Sequence, residues 1–250
     1  MMRVFVGMET SGRSRQAFQK QGHWVVSCDL LPAQDGIGYS DAVGGHIQGD
    51  VFDTLDCLAA RGIHFDLAIF HPDCTFLTGS AEWAYGDGPY HQKVKPETLV
   101  GAARRAAREQ ALNTVLRIMR LPIKRIAIEN PVGCISSRIR KPDQIVQPYD
   151  FGDDASKKTC LWLKGLSLLQ PSDRVAGRWV EWPRGSGKMV ERWANQTDSG
   201  QNNLSPSSNR WADRSDTYPG IANAMALSWG GASLWQRLLR RAIQQKVEQC

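Results

Sequence analysis

The sequence predicts a doubly wound α/β fold on a mostly parallel sheet, with a small insert, and three observations support it. Apolar runs of strand length alternate with helical stretches over most of the span from Val4 to Leu163. Several of these runs end on a glycine, an acid or a thiol rather than on another apolar residue. The longest apolar stretches are strand-sized, well short of the ~20 residues a membrane span needs. Open parallel sheets bind ligands at the carboxyl ends of their strands, so the same pattern predicts where a site lies.

The chain has 250 residues, 42% hydrophobic and 22% charged, enough for one large domain or a domain with an insert. The expected division is an α/β domain over 1–165, a short irregular insert over 166–216 and a helical segment over 217–250 that packs back on the first. Six scattered cysteines without a CxxC spacing argue against a zinc site and a disulfide framework, and the expected setting is a reducing cytoplasm without a membrane segment. The net charge of +6, from 31 basic against 25 acidic residues, suits a polyanionic partner without specifying one. Arg104, Arg105 and Arg108 form one basic group, which a solvated helix face explains equally well.

The first strand is Arg3 to Gly7, followed by a helix from Ser11 to Gln21 with Ala17 and Phe18 facing inward. The turn between them, Gly7-Met8-Glu9-Thr10-Ser11-Gly12, lets a ligand approach the backbone and helix start. Glu9 would repel a phosphate there, so a cationic or zwitterionic ligand fits better. The second strand, Trp24 to Cys28, ends at Asp29, placed to hold a ribose diol or to cap a turn. The third, His46 to Gly49, ends at Asp50 and leads into a helix from Phe52 to Ala60.

Leu67 to Phe70 is the fourth strand and delivers His71-Pro72-Asp73-Cys74-Thr75. A polar, glycine-rich segment from Thr75 to Pro96 with three aromatic residues, Trp83, Tyr85 and Tyr90, reads as a lid or substrate-contacting loop. An amphipathic helix spans Glu97 to Met119, and the strand Ile126 to Ile128 then presents Glu129 and Asn130. Gln144 to Tyr149 and Cys160 to Leu163 are further strands. Residues 166–216 show little periodicity, and Ile221 to Ile243 is helical with a break at Gly230-Gly231. A thiol at one strand end and a carboxylate beside a carboxamide at another are what chemistry on a pyrimidine requires: a nucleophile for a ring carbon and groups that polarise the ring.

These residues resemble, in order and spacing, the S-adenosylmethionine-dependent cytosine-C5 methyltransferases. The resemblance rests on the glycine turn at Gly7 to Gly12, Asp29, Gly49-Asp50, Pro72-Asp73-Cys74, Glu129-Asn130 and Ile221-Ala222-Asn223-Ala224. It implies a Rossmann-like sheet of the class I methyltransferase type. It also implies a catalytic set of Cys74, Glu129 and Asn130. The cofactor set is Gly7, Glu9, Gly12, Asp29, Leu30, Asp50, Val51, His71 and Asn223, and the substrate side is Pro72, Thr75, Lys157 and Lys158. Cys74 would add to C6 of the base, Glu129 would hold or protonate N3, and Asn130 would fix the local backbone or contact the base edge.

The chain departs from the family at four points. One turn glycine is missing, Asp73 stands before the cysteine, Lys157-Lys158-Thr159 replaces a Gln-x-Arg-x-Arg motif, and the insert is short for a target-recognition domain. Trp179, Trp182, Trp193 and Trp211 are candidates to stack on bases. DNA is the expected substrate, with a free or single-stranded cytidine nucleotide as the alternative. A homo-oligomer, a separate recognition partner and a non-catalytic relative that only binds cofactor or nucleic acid also remain open.

Overall fold

A computed structural model describes residues 1–79, 81–91, 93–94, 96–203 and 217–231. Trp211, Cys250 and the predicted helix beyond Gly231 lie outside the described residues. Strands β1 (Arg3–Gly7), β2 (Trp24–Asp29), β3 (Gly44–Gln48), β4 (Leu67–Phe70) and β5 (Ile126–Pro131) run parallel in the order β3-β2-β1-β4-β5. β7 (Thr159–Lys164) follows antiparallel to β5, and β6 (Gln144–Val146) closes the edge antiparallel to β7. This is the Rossmann-like, doubly wound and mostly parallel sheet that the sequence predicts.

The central strands read as continuous apolar runs because both faces are covered. Phe5, Val26, Phe70, Ile126 and Ile128 point to one side, against α2 (Val51–Ala60) and α3 (Gly101–Met119) through Leu55, Leu58, Leu112, Val115 and Ile118. Val4, Val6, Val25, Leu67, Ile69 and Ala127 point to the other. There they meet Ala17 and Phe18 of α1 (Arg13–Gln19) and Ile221, Met225 and Trp229 of α5 (Pro219–Trp229). A short helix, α4 (Ile135–Arg138), follows β5.

From β1 the chain moves outward to β2 and β3, then returns across β1 to start β4 on its other side. The crevice at the ends of β1 and β4 is thus the topological switch point, where ligands bind in such sheets. Gly7 and His71 flank it, joined by a hydrogen bond from the His71 amide to the Gly7 carbonyl at 3.0 Å.

Several boundaries shift for local reasons. The helix expected from Glu97 begins at Gly101, because Glu97 and Gly101 hold positive φ values of 66° and 58° that no right-handed helix passes through. The strand expected through Tyr149 stops at Val146 and gives way to a 3-10 turn at Pro148–Asp150. The segment expected to be irregular holds an antiparallel hairpin, β8 (Arg178–Glu181) paired with β9 (Met189–Arg192). Its turn, Trp182-Pro183-Arg184-Gly185-Ser186-Gly187, carries the Pro and Gly signals that could have revealed it. Among the described residues no helix is long and apolar enough to cross a membrane.

The basic group on α3 is not a free cationic patch: Arg104 and Arg108 are shielded, and only Arg105 is exposed. Arg105 donates to the Tyr85 carbonyl (2.6 Å) and pairs with Asp87; Arg108 donates to the Phe76 carbonyl (3.0 Å) and pairs with Glu82. The Arg104 and Arg108 guanidinium groups also lie over the Tyr85 ring at 4.7 and 3.4 Å. Three arginines therefore fasten the first half of the long loop to α3.

Gly7 has a packing requirement as well. A Cβ there would lie 2.5 Å from the Phe70 ring, so β1 and β4 reach their register only because this residue lacks a side chain. Gly7→Ala should cost about 1–3 kcal/mol through overpacking. Urea unfolding should show a lower midpoint with an unchanged slope.

Candidate active site

The strand ends at the switch point bring together residues far apart in sequence. His71, just past β4, places Nδ1 2.8 Å from Oε2 of Glu129 on β5. Thr217, ahead of α5, donates its hydroxyl to the same oxygen at 2.9 Å and lies 3.2 Å from His71 Nδ1. On the opposite side of the imidazole, Nε2 is 3.4 Å from the Ser14 hydroxyl of α1. Arg13 donates to the Thr217 carbonyl at 3.0 Å and so ties α1 to this corner. The His71 side chain is 10% exposed and that of Glu129 6%.

Burial opposes charge on both members of this pair, and the pair overcomes it. For Glu129, the desolvation penalty is outweighed by the hydrogen bond and charge of His71, by Lys157 and by Thr217, so its carboxyl is held at about 2. For His71, burial alone would lower the pKa, but the hydrogen bond and charge of Glu129 and the charge of Glu9 raise it above its ordinary value, with Lys157 opposing. Both shifts favour the form in which an imidazolium faces a carboxylate.

Asn130 has a backbone task. Its side-chain amide donates to the Pro72 carbonyl at 2.7 Å, fixing the Pro72-Asp73-Cys74 turn to the end of β5. Its Oδ1 is buried and has no hydrogen-bond partner, which leaves an acceptor for a ligand. Cys74 is half-buried, and its carbonyl accepts from Leu77 (3.1 Å) and Thr78 (3.0 Å), so the thiol sits at the start of a tight turn. The exposed Asp73 accepts from the Thr75 amide (2.9 Å) and hydroxyl (2.7 Å) through one oxygen. Asp73 and Thr75 therefore build the turn that follows Pro72.

The acidic residues at the other strand ends also have local partners. Glu9 is buried; Oε1 accepts from the Ser14 amide (2.8 Å) and the Ser11 hydroxyl (3.0 Å), whereas Oε2 is a buried acceptor without a partner. Asp29 accepts from the Leu31 amide at 2.9 Å through Oδ1, and Leu30 beside it is 70% exposed. Asp50 caps α2, accepting from the amides of Phe52 (2.8 Å) and Asp53 (3.1 Å), again through Oδ1. The Gly49 amide donates to the Asp29 carbonyl at 2.8 Å, joining these two ends.

Not every site residue expected from the sequence reaches this corner. Val51 is buried in the α2 core and Asn223 is exposed on α5. Gly12 is left-handed, φ 71°, and a Cβ there would meet the Arg15–Asp35 ion pair. Lys157 is half-buried with its ammonium 5.8 Å from the Tyr218 ring, and Lys158 is exposed. Trp193 does not offer a free face: it stacks on Tyr149 at 3.9 Å and 7° and donates to the Val175 carbonyl. Trp179 and Trp182 on the hairpin are exposed. Sequence reasoning missed Thr217 and Ser14 and gave His71 a cofactor role only. Thr217 is 88 residues from Glu129, with no local pattern to announce the contact.

The ion pair gives stability a defined pH window. The Glu129 contribution is complete above its ordinary 4.5 and is lost as pH falls toward about 2. The His71 contribution is complete below 6.5 and is lost as pH rises through its raised value. The pair therefore stabilises most between these two ordinary values. Urea unfolding from about pH 3 to about pH 9 should show a plateau there, and Glu129→Gln should lower it by about 3 kcal/mol and flatten both flanks.

No family model matches the chain, and no curated protein matches it in sequence. In three dimensions it is similar to a crystal structure from E. coli of a prophage-encoded protein provisionally described as a DNA modification methyltransferase. The TM-score is 0.42 at 13% identity, over 70% of this chain and 52% of that one, so this chain spans about half the length of that protein. A likeness at this distance bears on neither activity nor substrate.

Proposed function

We propose that this protein transfers a methyl group from S-adenosylmethionine to C5 of cytosine in DNA. One observation supports this above the rest: the Asn130–Pro72 hydrogen bond fastens the turn bearing a thiol to the strand bearing a buried carboxylate, at the switch point of the sheet. A nucleophile and a base-polarising group are thereby held on one rigid corner.

The residues present fit such a cofactor. A cationic, zwitterionic ligand suits the unpartnered, buried Oε2 of Glu9, and its ribose diol and adenine amine suit carboxylates at the ends of β2 and β3. In this reading Glu9 and Gly12 hold the methionine end, Asp29 the ribose and Asp50 the adenine side. Leu30 supplies apolar cover, and the exposed Asn223 closes the site from α5. Bound S-adenosylmethionine supplies an electrophilic methyl on a sulfonium. The Cys74 thiolate adds to C6 of the base and raises electron density at C5. Glu129 and the free Oδ1 of Asn130 hold the base edge, and a base in duplex DNA is flipped out to reach them. In this reading residues 1–165 form the catalytic unit, the described part of the insert, 166–203, stands in place of a target-recognition domain, and 217–231 pack back on the catalytic unit.

Labelled cofactor offered with duplex DNA, single-stranded DNA, RNA and cytidine nucleotides, followed by nucleoside analysis, tests the assignment. Label in 5-methylcytosine from DNA is expected; label in cytidine nucleotides alone moves the substrate, and none in any pyrimidine removes the reaction. Cys74→Ser should lower turnover about a thousandfold or more while cofactor binding persists. By calorimetry, Asp29→Ala should weaken cofactor binding about tenfold or more, one charged hydrogen bond's worth, with binding of the cytosine substrate nearly unchanged.

A further inference from the structure

The imidazole of His71 has no assigned part in the reaction beyond a cofactor contact, yet it touches the one carboxylate meant for the base. Addition of a thiolate to C6 pushes negative charge onto the N3 side of the ring, and that nitrogen needs a proton. The simplest donor is Glu129 itself, but a carboxylate that accepts from both His71 and Thr217 at 2.8 and 2.9 Å is ionised and has no proton to give. The nearest group that can carry one is His71 Nδ1, 2.8 Å from Oε2.

We propose that His71 is the proton reservoir of the site, passing its Nδ1 proton through the Glu129 carboxyl to N3 of the base as Cys74 adds to C6. This deepens the cytosine-C5 reading and rests on it. The balance closes. Imidazolium, carboxylate and the anionic ring adduct become neutral imidazole, carboxylate and an N3–H adduct. Once the methyl is on C5, the hydrogen it shares that carbon with leaves as a proton to solvent water. Cys74 departs from C6 as a thiolate while the ring double bond re-forms, and the N3 proton returns by the same route and restores the ion pair.

The surroundings suit this use. Both hydrogen bonds to Glu129 fall on Oε2, so Oε1 takes neither. Glu129 from β5 and Glu9 from the turn after β1 favour the charged imidazole, and Lys157, ahead of β7, opposes it; Ser14 from α1 and Thr217 ahead of α5 contribute hydroxyls only. Because the carboxylate needs a cation while no base is bound, a protonated histidine meets both requirements: it neutralises Glu129 at rest and releases a proton when the base arrives. A lysine or arginine there would neutralise the charge but hold its proton too tightly.

The experiment compares wild type with His71→Gln at matched cofactor and DNA occupancy. A general-acid role predicts a fall in kcat of about 100-fold or more with KM for DNA and cofactor within a few-fold. It also predicts that wild-type kcat declines on the alkaline side as His71 loses its proton, and that this limb is absent in the variant. Nitrogen NMR of the His71 ring in the unmodified free protein supplies a second readout independent of turnover. Both ring nitrogens should be protonated at neutral pH, and Glu129→Gln should abolish this. An unchanged kcat and alkaline limb in His71→Gln, or a neutral ring in the free wild type, overturns the relay while leaving the methyltransferase assignment standing. A variant that fails to fold leaves the NMR result to decide. Absence of 5-methylcytosine from the wild type overturns the functional reading itself, and the relay with it.

Discussion

A carboxylate buried at the end of a strand requires a countercharge, and Glu129 sets that requirement for the whole carboxyl edge of the sheet. Meeting it takes His71 from the neighbouring strand, 58 residues earlier, and Thr217 from the approach to α5, 88 residues later. Ser14 and Arg13 then join α1 to the same corner. The polar network thus does across the strand ends what the two apolar layers do across the faces: it makes β1, β4, β5, α1 and α5 settle together. The apolar face of α5 docks it on the sheet, and Thr217 fixes the approach to the helix at the charge pair.

Just as informative is how the acidic residues at the strand ends divide their oxygens. Glu9, Asp29 and Asp50 each spend one oxygen on backbone amides of the following turn or helix, as a cap does. Capping and ligand binding are therefore compatible at one residue, since a carboxylate has more acceptor sites than a cap uses. A capping role at Asp29 or Asp50 does not by itself argue against a ligand there.

The sequence makes the sheet legible because burial on both faces leaves runs such as Leu67-Ala68-Ile69-Phe70 that have no other home. It also puts the two halves of the candidate site at strand ends, because each follows one of those runs. Pairing within the site was not legible: nothing local says that His71 meets Glu129 rather than a cofactor, or that Thr217 joins them. The start of α3 depended on left-handed backbone at Glu97 and Gly101, which residue type alone does not reveal. Arg104, Arg105 and Arg108 read as a polyanion patch or a wet face because their partners lie in a loop without periodicity. Trp193 looked available because its stacking partner, Tyr149, is remote in the chain.

The attachment of the long loop to α3 uses a kind of contact that is indifferent to what the loop contains. Arg105 and Arg108 reach the carbonyls of Tyr85 and Phe76, groups that every amino acid would present at those positions. The ion pairs and ring contacts add to this, but the backbone anchors would outlast changes in the side chains. A protein built this way is free to diversify the loop's outward residues, and with them what it touches, without losing track of where the loop lies. Its placement is inherited from the helix, while its chemistry is left open to selection.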